Sequence, residues 1–435
     1  MTKRMLLAIL LLIVFALPAG CQKQGGEPTQ PTAPAPTILP THTPEPSPTP
    51  TPDPVGEALA GMTVEQKAAQ LLVAGIEGTE PGEDAVQAVQ GYQVGGVILF
   101  GRNVESAEQL AALTNGLKEL NGDYTPLFLC VDQEGGRVDR MPPEVTDLPS
   151  ALDFGSIADP EARMDACFTL GQTLAAQCAA FGFNMDFAPS LDIWSNPENT
   201  VIGDRAFGTD AATVTGAANE TALGILSGGV IPVAKHFPGH GDTAVDSHYG
   251  LPVVDKSLEE LEELELRPFR QAIDTTCVYG TYGGDTSIPA IMVAHILLSQ
   301  IDPDNPASLS PEVVTGLLRE EMGYEGVVCT DDLTMAAISD TYGMGEAAVL
   351  AVEAGCDLLL VCHGADNLAE AHAALVEAVD SGCIPEERLD ESVYRVLSLK
   401  TVYGLSNAPV EAPDIEALND RIAALERSIE ADTSQ

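Results

Sequence analysis

Basic residues are scarce in this chain. Twenty Lys plus Arg stand against 65 Asp plus Glu in 435 residues, a formal charge of −45. Nucleic acid and anionic lipid surfaces are bound by basic patches, so this balance argues against both as partners of an exposed face. Aromatic residues are also few, at 5%, with a single Trp. No CxxC pair occurs among the nine cysteines, and Cys130, Cys329, Cys356 and Cys362 sit inside apolar runs. That pattern reads as buried thiols rather than a zinc site or a disulfide framework, although export leaves a disulfide open. No apolar stretch reaches the ~20 residues of a membrane-spanning helix.

What is present is, first, an export-like start. Lys3 and Arg4 precede the apolar run Met5 to Leu17, which ends in Leu17-Pro18-Ala19-Gly20-Cys21. This is similar to a bacterial lipoprotein cleavage box in which Cys21 becomes the lipidated first residue. The preferred Leu sits one place early, with Pro18 in its position; ordinary secretion is the alternative. Residues 22–54 are dominated by Pro and Thr and cannot bury a core. In polyproline II form, at ~3.1 Å per residue, such a spacer reaches roughly 100 Å. The reading is thus a signal segment 1–21, a linker 22–54, a folded domain 55–410 and an amphipathic tail 411–435. It places the domain outside the cytoplasm, tethered to the membrane through lipid or, without lipidation, secreted.

From residue 55 short apolar runs alternate with amphipathic stretches. The runs are Ala69 to Ile76, Val94 to Phe100, Leu127 to Asp132, Asn184 to Ala188, Ile231 to His236, Ile291 to His295, Val327 to Asp331 and Leu358 to Cys362. Runs that short and apolar suit parallel strands buried on both faces. Ser106 to Leu120, Ser257 to Ile273 and Glu346 to Gly355 read as helices. Eight strands alternating with helices predict an α/β fold of the (β/α)8 TIM-barrel type as a single catalytic domain, with an open doubly wound sheet as the alternative. In the tail, Ile415, Leu418, Ile422, Leu425 and Ile429 form a helical stripe suited to packing on the barrel.

The polar residues fall where a barrel builds its active site. Asp132, His236, His295, Asp331 and His363 lie at or just past the C-terminal ends of strand runs. The densest patch is Lys235-His236-Phe237-Pro238-Gly239-His240-Gly241-Asp242, followed by Asp246-Ser247-His248. Its spacing fits no common zinc pattern, so no metal is expected. Asp331 and Asp332 leave one strand together. Adjacent side chains alternate, so one faces the mouth and the other is suited to a helix N-cap. Asp331, still at the strand end, is the better nucleophile candidate. Arginines are rare, yet Arg137 and Arg140 follow one strand and Arg205 lies in Gly203-Asp204-Arg205. They suit binding of hydroxyl or carbonyl oxygens, or each answers a neighbouring acid. Asp246 and His248 read equally well as an acid–base pair or as a hydrogen bond that steadies a loop.

The segments DQEGGRVDR, GDRAFG, KHFPGHGDT with DSH, and TDDLTM, spread over about residues 58–405, together resemble glycoside hydrolase family 3, and within it the single-domain bacterial β-N-acetylglucosaminidases. Thr330 stands where the family's motif has Ser. The resemblance implies a barrel, retaining hydrolysis and no cofactor. It implies Asp331 as nucleophile, His248 assisted by Asp246 as proton donor, and sugar contacts from Asp132, Arg140, Arg205, Lys235 and His236. The implied substrate is an oligosaccharide ending in β-linked N-acetylglucosamine, drawn from peptidoglycan or chitin. A histidine suits the donor role because it titrates near working pH. Other activities of the family, including phosphorolysis, and a non-catalytic sugar-binding lipoprotein are the alternatives.

Overall fold

The short apolar runs become strands because both faces of each find a core. Along β1 (Leu72–Gly75) and β2 (Gly96–Leu99), Val73 and Ile98 enter an inner cluster with Phe128, Met185, Val233 and Met292. Leu72, Ala74, Val97 and Leu99 pack outward against helices in a second, larger cluster. That is the two-residue period of a strand with no solvated face. The computed structural model describes residues 53–243, 247, 250–275 and 288–433.

Six further strands complete the sheet: β3 (Phe128–Val131), β4 (Met185–Asp186), β5 (Ile231–Phe237), β6 (Ala290–Val293), β7 (Val327–Asp332) and β8 (Leu358–Val361). Each is parallel to its sequence neighbour, with Val73 opposite Gly96 and Ala290 opposite Val327. β8 returns to β1, with Leu72 opposite Leu359, so the barrel closes. This is the expected (β/α)8 barrel; a doubly wound sheet would have left two edges.

The differences from expectation lie at element ends. Ala69 and Gln70 belong to a helix, Val64–Gln70, which a Thr63–Gln66 capping box starts. The helix expected over Ser257 to Ile273 is two, Leu258–Glu263 and Arg267–Asp274. Pro268 explains the break, since its ring clashes with the carbonyl four residues back and it lacks an N–H. The tail stripe forms helix Ile415–Thr433, which packs Leu418, Ile422 and Leu425 toward helix Pro160–Ala180. Seven cysteines are described and all are free; only Cys383 is exposed. Among the described residues no helix is long and apolar enough to cross a membrane.

The N-terminal end of the barrel is closed by buried charge. Lys400 donates to Gln70 Oε1 (2.9 Å) and to the Gly95 carbonyl (2.8 Å), and lies over the Phe128 ring. Burial pushes its pKa down to about 7. At the same end Asp357, fully buried, accepts from Arg319, from Ser392 Oγ (2.6 Å), from Arg395 (3.2 Å) and from the Val328 amide (3.0 Å).

Candidate active site

The other end of the barrel is open. Its strand ends and loops enclose a cavity of about 530 Å³ lined by Asp132, Glu134, Arg140, Arg205, Lys235, His236, His240 and Asp331. β3 delivers Asp132, β5 delivers Lys235 and His236, and β7 delivers Asp331. Gly241 lets the loop after β5 close down: a Cβ there would stand 1.7 Å from the Ile193 carbonyl oxygen.

One wall is an interleaved ion cluster. Lys235 Nζ donates to Asp132 Oδ1 (2.6 Å) and lies 2.7 Å from Glu134 Oε1. Arg205 grips Glu134 with both prongs, Nε to Oε2 at 2.9 Å and Nη2 to Oε1 at 2.7 Å. Burial alone would raise the pKa of Glu134, but Arg205 and Lys235 outweigh it and hold the carboxylate far below its ordinary range. For Lys235 burial works downward, and Asp132 and Glu134 more than reverse it. The cluster is therefore charged, with the Asp132 carboxylate one-fifth exposed to the mouth.

Behind this wall lies Asp192. It accepts from His236 Nδ1 (2.6 Å), the His240 amide (2.6 Å) and Ser190 Oγ (2.9 Å). Burial raises its pKa, but the His236 partner and the His240 amide draw it down to about 2. A guanidinium only donates, so His236 Nε2, 3.3 Å from Arg205 Nη2, is the acceptor of that contact. Thr243 Oγ1 donates to the His240 carbonyl (3.0 Å), so it accepts from His240 Nδ1 (2.7 Å), and the ring proton sits on Nδ1. His240 Nε2 is buried with no hydrogen-bond partner among the described residues, and burial pushes the pKa of the ring down to about 4.

Asp331 stands across the cavity. Its Oδ1 accepts from the Asp332 amide at 2.8 Å. Burial raises its pKa, but the neighbouring His295, His236 and Lys235 and that amide outweigh it, and the net shift is downward. A carboxylate kept ionised at the floor of a cavity is what a nucleophile requires. Asp332 does not cap the following helix: Ala336–Ser339 begins after Met335 with no side-chain cap. Asp332 instead accepts from Thr334 N (2.9 Å), Thr334 Oγ1 (2.6 Å) and Cys362 N (3.1 Å), fixing the turn against β8. His295 is also structural, bonded to Ser308 Oγ and to the Asp332 carbonyl. His363 lies at the rim, stacked on Phe100.

The arginines do not simply answer their neighbours in sequence. Arg205 pairs with Glu134 rather than Asp204, and Asp204 pairs with Arg137 (2.8 Å), so two loops are stapled together. The Arg140 guanidinium lines the cavity and donates to the Asp139 carbonyl. Glu134 and Asp192 carry much of the geometry and received no role from the sequence. Glu134 lies inside DQEGGRVDR; Asp192 follows a strand end, which was its one signal. Asp246 and His248, the expected proton-donor pair, and Cys21 lie outside the described residues. Ser247, between the first two, lines the cavity, and its carbonyl accepts from the Ala337 amide at 3.1 Å. Among the described residues no three His, Cys, Asp or Glu side chains converge on a metal-sized site.

Comparison with known proteins agrees with this architecture. The N-terminal domain of glycosyl hydrolase family 3 matches residues 63–399. A β-hexosaminidase of Nitrosomonas eutropha is 35% identical over 331 residues, covering 75% of this chain and 91% of the relative. One of Methylococcus capsulatus is 40% identical over 287 residues, covering 66% and 80%. A solved family 3 β-N-acetylglucosaminidase from Paenibacillus sp. superposes with a TM-score of 0.77 at 40% identity, over 85% of this chain and 69% of that one. From barrel, cavity and match together, this chain belongs to glycosyl hydrolase family 3.

Proposed function

We propose that this protein is a retaining β-N-acetylhexosaminidase that removes terminal, non-reducing β-linked N-acetylglucosamine from oligosaccharides. The observation that carries the reading is Asp331: a carboxylate held ionised at a strand end, facing a charged wall able to grip sugar hydroxyls. The names of the relatives supply the sugar.

In the proposed reaction an Asp331 oxygen attacks the anomeric carbon as the bond to the leaving oxygen breaks. The imidazolium of His248, assisted by Asp246, gives that oxygen its proton. The neutral ring then takes a proton from water, which attacks the glycosyl–Asp331 ester and frees the carboxylate. Asp132, Lys235, Arg140, Arg205 and His236 are the proposed hydroxyl and carbonyl contacts. Asp132 and Lys235 hold each other in place, so a sugar meets a prepared surface. Peptidoglycan fragments and chitin oligosaccharides both present the required terminal sugar.

Release of nitrophenol from nitrophenyl β-N-acetylglucosaminide tests the activity; a folded protein inert toward it and toward chitobiose would sink the proposal. Product analysis with and without excess phosphate separates routes. Free N-acetylglucosamine is expected in both; a sugar 1-phosphate dominating would make the enzyme a phosphorylase.

We also propose export and lipidation at Cys21, supported by the apolar run, the box before the cysteine and the Pro/Thr-rich spacer. Cys21→Ala should release active enzyme into the medium, and unchanged membrane retention would refute the anchor.

A further inference from the structure

The C-terminal helix lies beyond the stretch that the family match covers, which ends at residue 399. It is joined to the active-site wall by hydrogen bonds connected through short stretches of chain. Asn419, on Ile415–Thr433, uses both ends of its amide on one loop: Oδ1 accepts from the Thr146 amide (2.8 Å) and Nδ2 donates to the Glu144 carbonyl (3.0 Å). Two residues on, the Leu148 carbonyl accepts from the Gly136 amide at 2.9 Å. Gly136 has φ +56°, and a Cβ on it would stand 3.0 Å from Ser150, so the Gly135–Gly136 turn is pressed against this strand of chain. The same turn is closed by Glu134 N to Val138 O (2.9 Å). Glu134 then holds Lys235 and Arg205.

Among the described residues the loop is also held by its own packing, with the Val145 amide donating to the Pro142 carbonyl (2.9 Å). Val145 and Leu148 are buried, and Glu144 Oε2 accepts from the Ala107 amide (3.2 Å). The helix itself is docked independently of Asn419. Leu418, Ile422 and Leu425 are buried, and Arg421 Nε donates to Thr173 Oγ1 (3.2 Å) on helix Pro160–Ala180. Docking and loop-holding thus rest on different side chains of one helix.

We infer that Asn419 is a positioning residue: through the loop 144–148 and the Gly136 turn it sets Glu134, and hence the Lys235–Arg205 wall that receives the sugar. The C-terminal helix is a strut for substrate binding as well as a cover for apolar surface. The inference rests on the sugar-hydrolase reading of the cavity for its kinetic expression, but not for its structural one.

The test compares Asn419→Ala with Arg421→Ala in the full chain. Asn419 is partly exposed, so water replaces its amide and the docked helix survives. Loss of the two bonds should raise KM for nitrophenyl β-N-acetylglucosaminide about three- to ten-fold with kcat within about two-fold, the scale of one hydrogen bond's worth of ordering. Asn419→Asp, which keeps the acceptor for Thr146, should restore part of the loss. Arg421→Ala should lower thermal stability and leave KM alone. Hydrogen exchange, which needs no activity, should quicken at the Gly136 and Glu134 amides in Asn419→Ala only. Wild-type inactivity with that exchange difference intact would condemn the hydrolase reading and leave the strut standing. Wild-type KM and exchange in Asn419→Ala, or the same KM rise in Arg421→Ala, overturns the strut.

Discussion

The two ends of the barrel carry the same chemistry to opposite purpose. At the N-terminal end Asp357 is surrounded by Arg319, Arg395 and Ser392, and none of its side chain reaches solvent. At the C-terminal end Asp132 and Glu134 interleave with Lys235 and Arg205, and Asp132 still faces a cavity of about 530 Å³. Both are buried ion clusters with short contacts. The difference is whether the last hydrogen-bonding capacity is spent inside the protein or left for a ligand. In barrels of this kind polar residues at the N-terminal face serve stability and those at the C-terminal face serve chemistry.

The largest test of that division falls on Asp331. Asp331→Asn keeps the shape and removes the attacking charge. Turnover should fall by at least about three orders of magnitude, more than about 4 kcal/mol of barrier, with the melting temperature little changed. A 2-fluoro glycosyl inhibitor should label Asp331 in the wild type; labelling of Asp332 would reverse the assignment of the two.

The opposite pattern is expected at the closed end. Asp357→Asn leaves Arg319 and Arg395 without their anion in a buried site, which costs about 3–5 kcal/mol of stability. Activity per folded molecule should not change. A variant of normal stability but reduced kcat would show that the two ends are not separate in function.

Glu134→Gln tests whether the open cluster is tuned or merely charged. The amide is isosteric but removes the carboxylate that Lys235 and Arg205 both contact. We expect kcat/KM to fall about ten- to hundred-fold, roughly 1.4–2.7 kcal/mol, alongside a loss of stability, since two buried cations lose a partner. Steady-state kinetics beside a melting curve decides it; a stability loss without a kinetic one would place Glu134 with Asp357.

How much of this was legible beforehand depended on how local the cause was. The strands announced themselves because burial on both faces demands unbroken apolar runs. The mouth did so because Asp132, His236 and Asp331 sit at strand ends. Glu134 was hidden, because its partners Arg205 and Lys235 lie about seventy and a hundred residues away, and nothing in DQEGGRVDR separates it from a surface acid. Asp192 was hidden for the same reason. The role of Asp332 was misjudged because Asp before a helix usually caps it. Here the nearer donors, Thr334 and the Cys362 amide at the end of the neighbouring β8, take the carboxylate first. Long-range pairing is what a pattern in one chain does not display.

The smallest expected effect concerns pH and the open end alone. His240 faces Asp192, His236 and Asp331, and its Nδ1 donates to Thr243 Oγ1. Burial holds its folded pKa at about 4, below the ordinary 6.5. Between those values the unfolded chain binds a proton that the folded one does not, so stability falls as pH falls through this window. Above 6.5 the ring is neutral in both states and contributes no slope; below about 4 both states are charged and the loss is complete. One pH unit below the ordinary value the loss should be about 1.4 kcal/mol. Urea unfolding of wild type and His240→Gln across this range measures it. The variant should lose that part of the pH dependence, while Asp357→Asn, at the closed end, should keep it. Parallel curves for wild type and His240→Gln would mean that the folded ring takes up its proton over the same range as in the unfolded chain, so that burial does not hold it neutral.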